Sequence, residues 1–164
     1  MFIDDSFIYS LSIGAKRELA IVITSPEVMN RLAKDNDNIV RCEVARNSNT
    51  SQETLDLLAN DENSFVRRNV AENTNTPPET LERLANDKEW AVRCRVALNP
   101  NTSPEILERL ADDEYPTVRY WVAKNPNYKK PNTNQITNEQ LAALKSLIES
   151  ASSPHLQELL KNAD

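Results

Sequence analysis

The stretch TPPETLERLANDKEWAVRCRVALNPN, residues 76–101, decides the fold, because the chain contains four aligned versions of it. The copies occupy 24–49, 50–75, 76–101 and 102–127 without an insertion or deletion. Eleven of the 26 columns are identical in all four, in the pattern T-x-x-E-x4-L-A-x-D-x4-V-R-x2-V-A-x-N-x-N. A fixed period of this length is typical of a solenoid, in which each unit buries its apolar face against its neighbours.

Each repeat predicts two short helices. In the third copy, Leu81 and Leu84 mark the first helix, and Val92 and Val96 mark the second. Apolar residues three and four positions apart fit a helix, whereas a strand would need alternation. We therefore predict an all-α superhelix without strands.

Recurring polar residues predict where these helices begin and end. Thr76 with Glu79, and the equivalent pairs of the other copies, predict a capping box at the start of each first helix. Each second helix should end near Asn99 or its equivalent. The chain has one glycine and 19 asparagines, so we expect asparagine to supply the left-handed conformation that often stops a helix.

The segments outside the repeats predict caps. Residues 1–23 are expected to form an N-terminal helical cap, and 128–164 a linker followed by a C-terminal helical cap, so that one structural domain results. In the C-terminal segment, Thr137 to Gln140 resembles a capping box, and Ser153-Pro154 should start a last helix. An alternative is that this C-terminal pair of helices is a docking element of its own.

Composition excludes several classes of function. A net charge of -6 disfavours nucleic acid as a default partner, and a single glycine excludes glycine-rich phosphate loops. Two cysteines are too few for a disulfide framework or a cysteine-built metal cage, and the only histidine, His155, completes no catalytic or metal set. Without a signal peptide or an 18-residue apolar run, we expect a monomeric cytoplasmic protein, not an enzyme, with no metal, cofactor or membrane contact.

The repeats resemble the leucine-rich repeat variant family. The resemblance rests on L-A-x-D, V-R-x2-V-A and N-x-N-T-x-P-E, the last seen at 99–105, and covers about two-thirds of the chain. It implies a right-handed superhelix of alternating α- and short 3₁₀-type helices, similar to HEAT repeats, which are α-α binding scaffolds. Some members carry a cysteine cluster for an iron–sulfur centre ahead of the repeats. No cysteine precedes Cys42, so that feature is not expected here.

One aspartate and one arginine recur in every repeat, six residues apart. They predict a structural ladder in which each arginine bridges its own aspartate and that of a neighbour. A row of arginines for phosphate is the alternative interpretation. The ladder comprises Asp35, Asp61, Asp87, Asp113, Arg41, Arg67, Arg93 and Arg119.

On a helical wheel, the positions of the second helices that lie opposite the valines differ between repeats. We expect the function to lie on this variable face. This face includes Cys42 and Cys94, and aromatic residues and arginine are frequent anchors of binding hot spots. The alternative is that the C-terminal cap covers Tyr120 and Trp121. The candidate partner-binding residues are Phe65, Arg68, Arg95, Tyr120, Trp121 and Lys124.

Two functions remain open on this face. The first is a scaffold for a protein partner. The second is a HEAT-like nucleic-acid-binding solenoid that uses Arg46, Arg68, Arg95 and Lys124. Within the repeats, first-helix segments hold 5 basic and 16 acidic residues, and second-helix segments hold 8 basic and 2 acidic. Without the four ladder arginines the second-helix face keeps little positive charge, which favours the protein partner.

Overall fold

The computed structural model describes residues 5–130, 141–143 and 146. The chain divides into two compact units, Met1–Lys129 and Lys130–Asp164. In the second unit, 141–143 and 146 are helical. The helix starts expected at 137–140 and 153–154, and His155, lie outside the described residues. The described residues of the first unit form ten helices: α1 Asp5–Ser10, α2 Ile13–Val22, α3 Pro26–Leu32, α4 Asn38–Arg46, α5 Gln52–Leu58, α6 Ser64–Glu72, α7 Pro78–Leu84, α8 Trp90–Leu98, α9 Pro104–Leu110 and α10 Pro116–Lys124.

Each repeat supplies a seven-residue first helix and a nine-residue second helix. The first helices are α3, α5, α7 and α9, and the second helices are α4, α6, α8 and α10. Second helices of adjacent repeats pack against each other more extensively than against the first helices, so helices stack in series. The described residues contain no strand. The predicted all-helical solenoid is confirmed.

The first helices differ from the expected 3₁₀ type. They are α-helices in the described residues, and they tighten where they end. In α7, for example, the amide of Asp87 donates to the carbonyl of Leu84 at 3.1 Å, an i→i+3 bond. Tightened last turns of this kind commonly satisfy carbonyls at the end of an α-helix.

The core runs along the stack between the two layers of helices. Leu81 and Leu84 from α7, and Val92 and Val96 from α8, are buried, and their equivalents in the other repeats are buried with them. A seven-residue helix is too short to be stable alone in water. Burial of apolar surface between repeats therefore stabilises these helices. It contributes about 25 cal/mol for each Å² removed from water.

The predicted threonine caps are wrong by one residue. The first helix α5 is capped by Ser51, whose oxygen accepts from the amide of Thr54, and α7 by Pro77. The repeat threonine is instead buried in the second, third and fourth repeats. The hydroxyl of Thr76 donates to the carbonyl of Val70 at 2.6 Å, and Thr50 and Thr102 make the same bond to Val44 and Val96. The threonine thus satisfies a carbonyl near the end of the preceding second helix.

The asparagines at the ends of the second helices do not adopt the left-handed conformation. Asn99 has φ -66° and ψ 129°, and none of the described residues has a positive φ. Its buried amide instead donates to the carbonyls of Ala71 and Asn73, at 2.8 and 3.0 Å, in the preceding repeat. Its oxygen accepts from the amide of Asn101. Asparagine recurs here because one side chain both donates and accepts, which glycine cannot do.

Helix α2 contacts α4 in the way that α4 contacts α6. Asn47 of the first repeat donates to the carbonyls of Ala20, Ile21 and Ile23, just as Asn73 donates to those of Ala45 and Asn47. The N-terminal segment therefore offers the first repeat the carbonyls that a preceding repeat would offer.

Candidate protein-interaction face

The recurring arginines join neighbouring repeats. Nε and Nη2 of Arg67 donate to the two carboxylate oxygens of Asp87 at 2.6 and 2.9 Å. Nη1 of Arg67 donates to the backbone carbonyl of Asp61 at 2.8 Å. Arg41 and Arg93 repeat this geometry with the next repeat's aspartate. We call this set of pairs the arginine ladder.

Arg41, Arg67 and Arg93 do not make the expected hydrogen bond to the aspartate carboxylate of their own repeat. Arg93 binds the carboxylate of Asp113, and it reaches its own repeat only through the carbonyl oxygens of Asp87 and Lys88. The reason is geometric. The carboxylate of Asp87 already accepts from Arg67 and from the amide of Glu89, so it is turned toward the preceding repeat.

The electrostatics of the ladder favour the ionised pairs. Burial opposes ionisation of Asp87, but the hydrogen bonds from Arg67 and from the Glu89 amide outweigh it and hold the pKa of Asp87 below its usual 3.8. The pKa of Asp113 is lowered in the same way by Arg93 and the Tyr115 amide. Arg41, Arg67 and Arg93 are thus buried and bound to carboxylates of this chain. They offer no ready donors to a phosphate.

The two ends of the ladder differ. At the first repeat, Nζ of Lys16 in α2 lies 2.8 Å from the carboxylate of Asp35 and takes the place of an arginine. At the last, Arg119 is exposed and donates to the carbonyls of Asp113 and Glu114 at 2.6 and 3.1 Å. Arg119 forms no ion pair with a carboxylate among the described residues.

A cavity of about 340 Å³ opens on the variable face of the second helices. We call it the second-helix pocket. Residues of three consecutive second helices line it: Arg68 from α6, Trp90, Ala91, Cys94, Arg95 and Leu98 from α8, and Thr117 and Trp121 from α10.

The pocket exists because α8 carries small side chains where α6 carries large ones. Ala91 and Cys94 lie one helical turn apart, in the columns that hold Phe65 and Arg68 in α6. Because the backbone follows the same repeat in both helices, smaller side chains leave a depression between α6 and α10. Trp121 and the other large residues then form its walls.

The structure separates the predicted binding residues into two groups. Arg68, Arg95 and Trp121 line the pocket together. Phe65, Tyr120 and Lys124 do not line it. Phe65 and Tyr120 are 64% and 54% exposed.

The helical wheel predicted more exposure for Trp121 and Cys94 than the structure shows. Trp121 is half-buried and packs against the core cluster, and Cys94 is only 5% exposed. Packing against neighbouring helices covers positions that a helix drawn alone would expose. The covering of Trp121 by the C-terminal cap concerns residues outside those described.

Two aromatic residues at the start of second helices were missed by the sequence reasoning. Trp90 lines the pocket and stacks on Tyr115, with ring centroids 5.9 Å apart. The guanidinium of Arg93 lies 5.5 Å from the Tyr115 ring centre, so this stack also contacts the ladder. The wheel began one residue after Trp90 and excluded it. The signal that could have found it is the rarity of aromatic residues, which form 5% of the chain.

The face around the pocket is weakly cationic. Nη1 of Arg95 lies 3.5 Å from a carboxylate oxygen of the half-exposed Glu72, a long contact. Arg68 has no ion pair with a described carboxylate. Nζ of Lys124 lies 5.7 Å from the ring centre of Tyr120. Arg68 and Arg95 can therefore bind a carboxylate of another molecule at the pocket wall.

A second cavity, of about 490 Å³, lies beside the ladder. Its charged lining includes Arg93 and Asp113, which already bind each other, and Arg109, which pairs with Glu82 on the first-helix side. This cavity thus offers mostly groups that are paired within the chain.

Neither a metal site nor a membrane span emerges from the described part of the chain. No three of its histidine, cysteine, aspartate or glutamate side chains are placed to hold a metal ion. None of its helices combines the length and apolar character that crossing a bilayer requires.

Comparisons with known proteins agree with the repeat. The family model described as leucine rich repeat variant matches residues 65–89 and 90–114. A solved structure described as a leucine-rich repeat variant with a novel repetitive protein structural motif is similar, with a TM-score of 0.53 and 26% identity. The match covers 93% of this chain and 61% of that one, so this chain spans about three-fifths of that protein. No curated protein sequence matches. The resemblance to leucine-rich repeat variant units is confirmed.

Proposed function

We propose, from the leucine-rich repeat variant units that build this chain, that it is a non-enzymatic scaffold that binds a protein partner through its second-helix face. A stack of repeats presents one stripe of variable side chains per repeat, which suits recognition of an extended surface. The fold itself specifies no chemistry, so the side chains of the site determine the function.

The second-helix pocket is the observation that carries this proposal. It places two tryptophans and two arginines around the small side chains of Ala91 and Cys94. Tryptophan and arginine dominate hot spots because they bury large areas and make directed polar contacts at their tips. All the columns concerned vary between repeats, so the stack does not require these residues.

Nucleic acid is less well supported as the partner. Of the four cations in that hypothesis, Arg46 lies 3.7 Å from Glu43 and Arg95 lies 3.5 Å from Glu72. A phosphate backbone contacts the cations of several repeats at once, so it would meet both carboxylates, whereas a single partner carboxylate at Arg95 meets only Glu72. Binding to it would also depend steeply on salt, since each phosphate contact releases counterions.

An affinity capture with pocket variants tests the proposed function. Proteins retained from the native host by the parent chain should be lost with Thr117→Tyr, which fills the pocket from its exposed rim, and with Arg95→Ala. Leu57→Ala is the matched control, because Leu57 is an exposed apolar residue of a first helix. Partners that are retained equally by all three variants would place binding elsewhere.

Trp121→Ala adds a second measurement, because Trp121 packs partly against the core. We expect it to lower binding by about 2 kcal/mol or more, as at other aromatic hot spots. Its thermal unfolding must be measured beside the parent. Loss of binding together with easy unfolding would show that Trp121 supports the stack, and the Thr117→Tyr result would then decide.

A further inference from the structure

We infer that the second-helix pocket receives an apolar side chain of an acidic peptide segment, whose flanking carboxylates bind Arg68 and Arg95. This inference rests on the proposed function and names the class of partner.

The size and lining of the pocket fit one side chain. Its volume of about 340 Å³ lies at the lower end of the roughly 300–1,000 Å³ usual for small-molecule sites. Ala91, Cys94 and Leu98 supply apolar surface, and the two tryptophans enclose it. An inserted leucine or phenylalanine would therefore exchange water for apolar contact on several sides.

The charges at the wall select carboxylates. Arg68 has no described ion-pair partner, and the contact from Arg95 to Glu72 is 3.5 Å long, with Glu72 itself half-exposed. The side chain of Arg95 is only 29% exposed. A carboxylate that reaches it beside the apolar surface is screened less by water than an ordinary surface pair.

The tryptophans are poorly placed to bind bases. Trp90 is already stacked on Tyr115, and Trp121 meets Tyr120 edge to face, with ring centroids 5.1 Å apart. Single-stranded nucleic acid would need open ring faces for successive bases together with a track of unpaired cations. The acidic peptide needs only one apolar anchor and two cations, which is what this face offers.

The chain's own tryptophans and cysteines provide the readout. It has two tryptophans, both in the pocket lining, so intrinsic fluorescence reports on occupancy directly. It has two cysteines, Cys94 in the lining and Cys42 in the same column two repeats earlier. Burial raises the pKa of both thiols, and Cys42 lies outside the pocket lining, so it serves as an internal control for reactivity.

The experiment titrates the full chain with synthetic peptides that carry a central phenylalanine between two glutamates on each side. The controls have a central alanine, or four lysines in place of the glutamates, and an oligothymidylate represents single-stranded nucleic acid. We expect the acidic phenylalanine peptide to change the tryptophan fluorescence and to slow reaction of Cys94, measured in Cys42→Ser protein, with a thiol reagent. Cys42, measured in Cys94→Ser protein, should react at an unchanged rate.

Arg68→Ala and Arg95→Ala should each weaken binding of the acidic peptide about tenfold, the effect expected for a hydrogen bond to a charged group. Equal binding of the acidic and basic peptides, tighter binding of the oligothymidylate, or no protection of Cys94 would overturn the inference. If the affinity capture still loses its partners in the Thr117→Tyr variant while the peptides show no preference, the inference fails and the proposed function stands.

Discussion

Arg93 and Arg95 lie two residues apart on helix α8, yet they belong to two different regions of the molecule. The column of Arg93 holds arginine in every repeat. Arg93 itself is buried and binds the Asp113 carboxylate through two hydrogen bonds. The column of Arg95 holds arginine in this repeat alone. Arg95 is partly exposed and makes one long contact with Glu72. The ladder region has its charges satisfied inside the chain, and the pocket region keeps some available. Repetition marks the first kind of arginine and variation marks the second.

The largest expected difference between the regions is in stability. Arg93→Ala should lower the free energy of unfolding by about 3 kcal/mol, because it leaves the carboxylate of Asp113 buried without its partner. Arg95→Ala should change it by no more than about 0.5 kcal/mol, as is usual for surface positions. Urea unfolding of both variants measures the two values. Equal effects would mean that Arg95 also supports the stack.

A double-mutant cycle sharpens the description of the ladder. Arg67→Ala and Asp87→Ala should show a coupling free energy of about 1–3 kcal/mol, because these side chains bind each other directly. Asp87→Ala with Arg93→Ala should be closer to additive, since Arg93 binds only the backbone carbonyl of Asp87, which alanine retains. Stronger coupling in the second cycle would contradict the pairing between repeats.

Acid should weaken the ladder. The pKa of Asp87 is lower in the folded chain than its ordinary value, so protonation favours the unfolded state. The stability contributed by this pair is complete above about pH 4 and is lost as the pH falls through the folded-state pKa. Asp87→Asn should flatten the fall in stability below pH 4, measured by thermal unfolding at several pH values. A parallel fall in the variant would exclude this carboxylate as a cause.

Within the ladder, the smallest effect is expected at its exposed end. Arg119 shares its column with Arg93, but it has only carbonyl partners among the described residues. Arg119→Ala should therefore cost about 1 kcal/mol, the net value of ordinary hydrogen bonds. Urea unfolding beside Arg93→Ala tests this directly. A cost as large as that of Arg93→Ala would reveal a carboxylate partner for Arg119.

Much of the fold could be predicted from the period, and less of the site. The spacing of Leu81, Leu84, Val92 and Val96 was sufficient for the helices and the core, because burial follows directly from helical periodicity. The roles of Thr76 and Asn99 could not be predicted. Each bonds to a preceding segment, and local capping rules describe only a residue and its immediate neighbours.

The site depended on contacts between repeats. Arg68, Arg95 and Trp121 were identified from their variation, but the pocket also needs Ala91 and Cys94, which are notable only for being small. A depression is a property of three adjacent helices, so a wheel drawn for one helix cannot show it. The same limit explains why Trp90 was excluded and why Cys94 was placed on an open face.

By itself the sequence determined the helical type, the register of the repeats and the division between invariant and variable columns, because these depend on spacing along the chain. The tertiary structure alone decided which carboxylate each arginine binds, what the repeat asparagines hold, and where the second-helix pocket opens. The bonds between repeats join residues 20 to 28 positions apart, as from Arg67 to Asp87 and from Asn99 to Ala71, and the pocket is built from three consecutive second helices. Their partners are selected by how one repeat packs on the next.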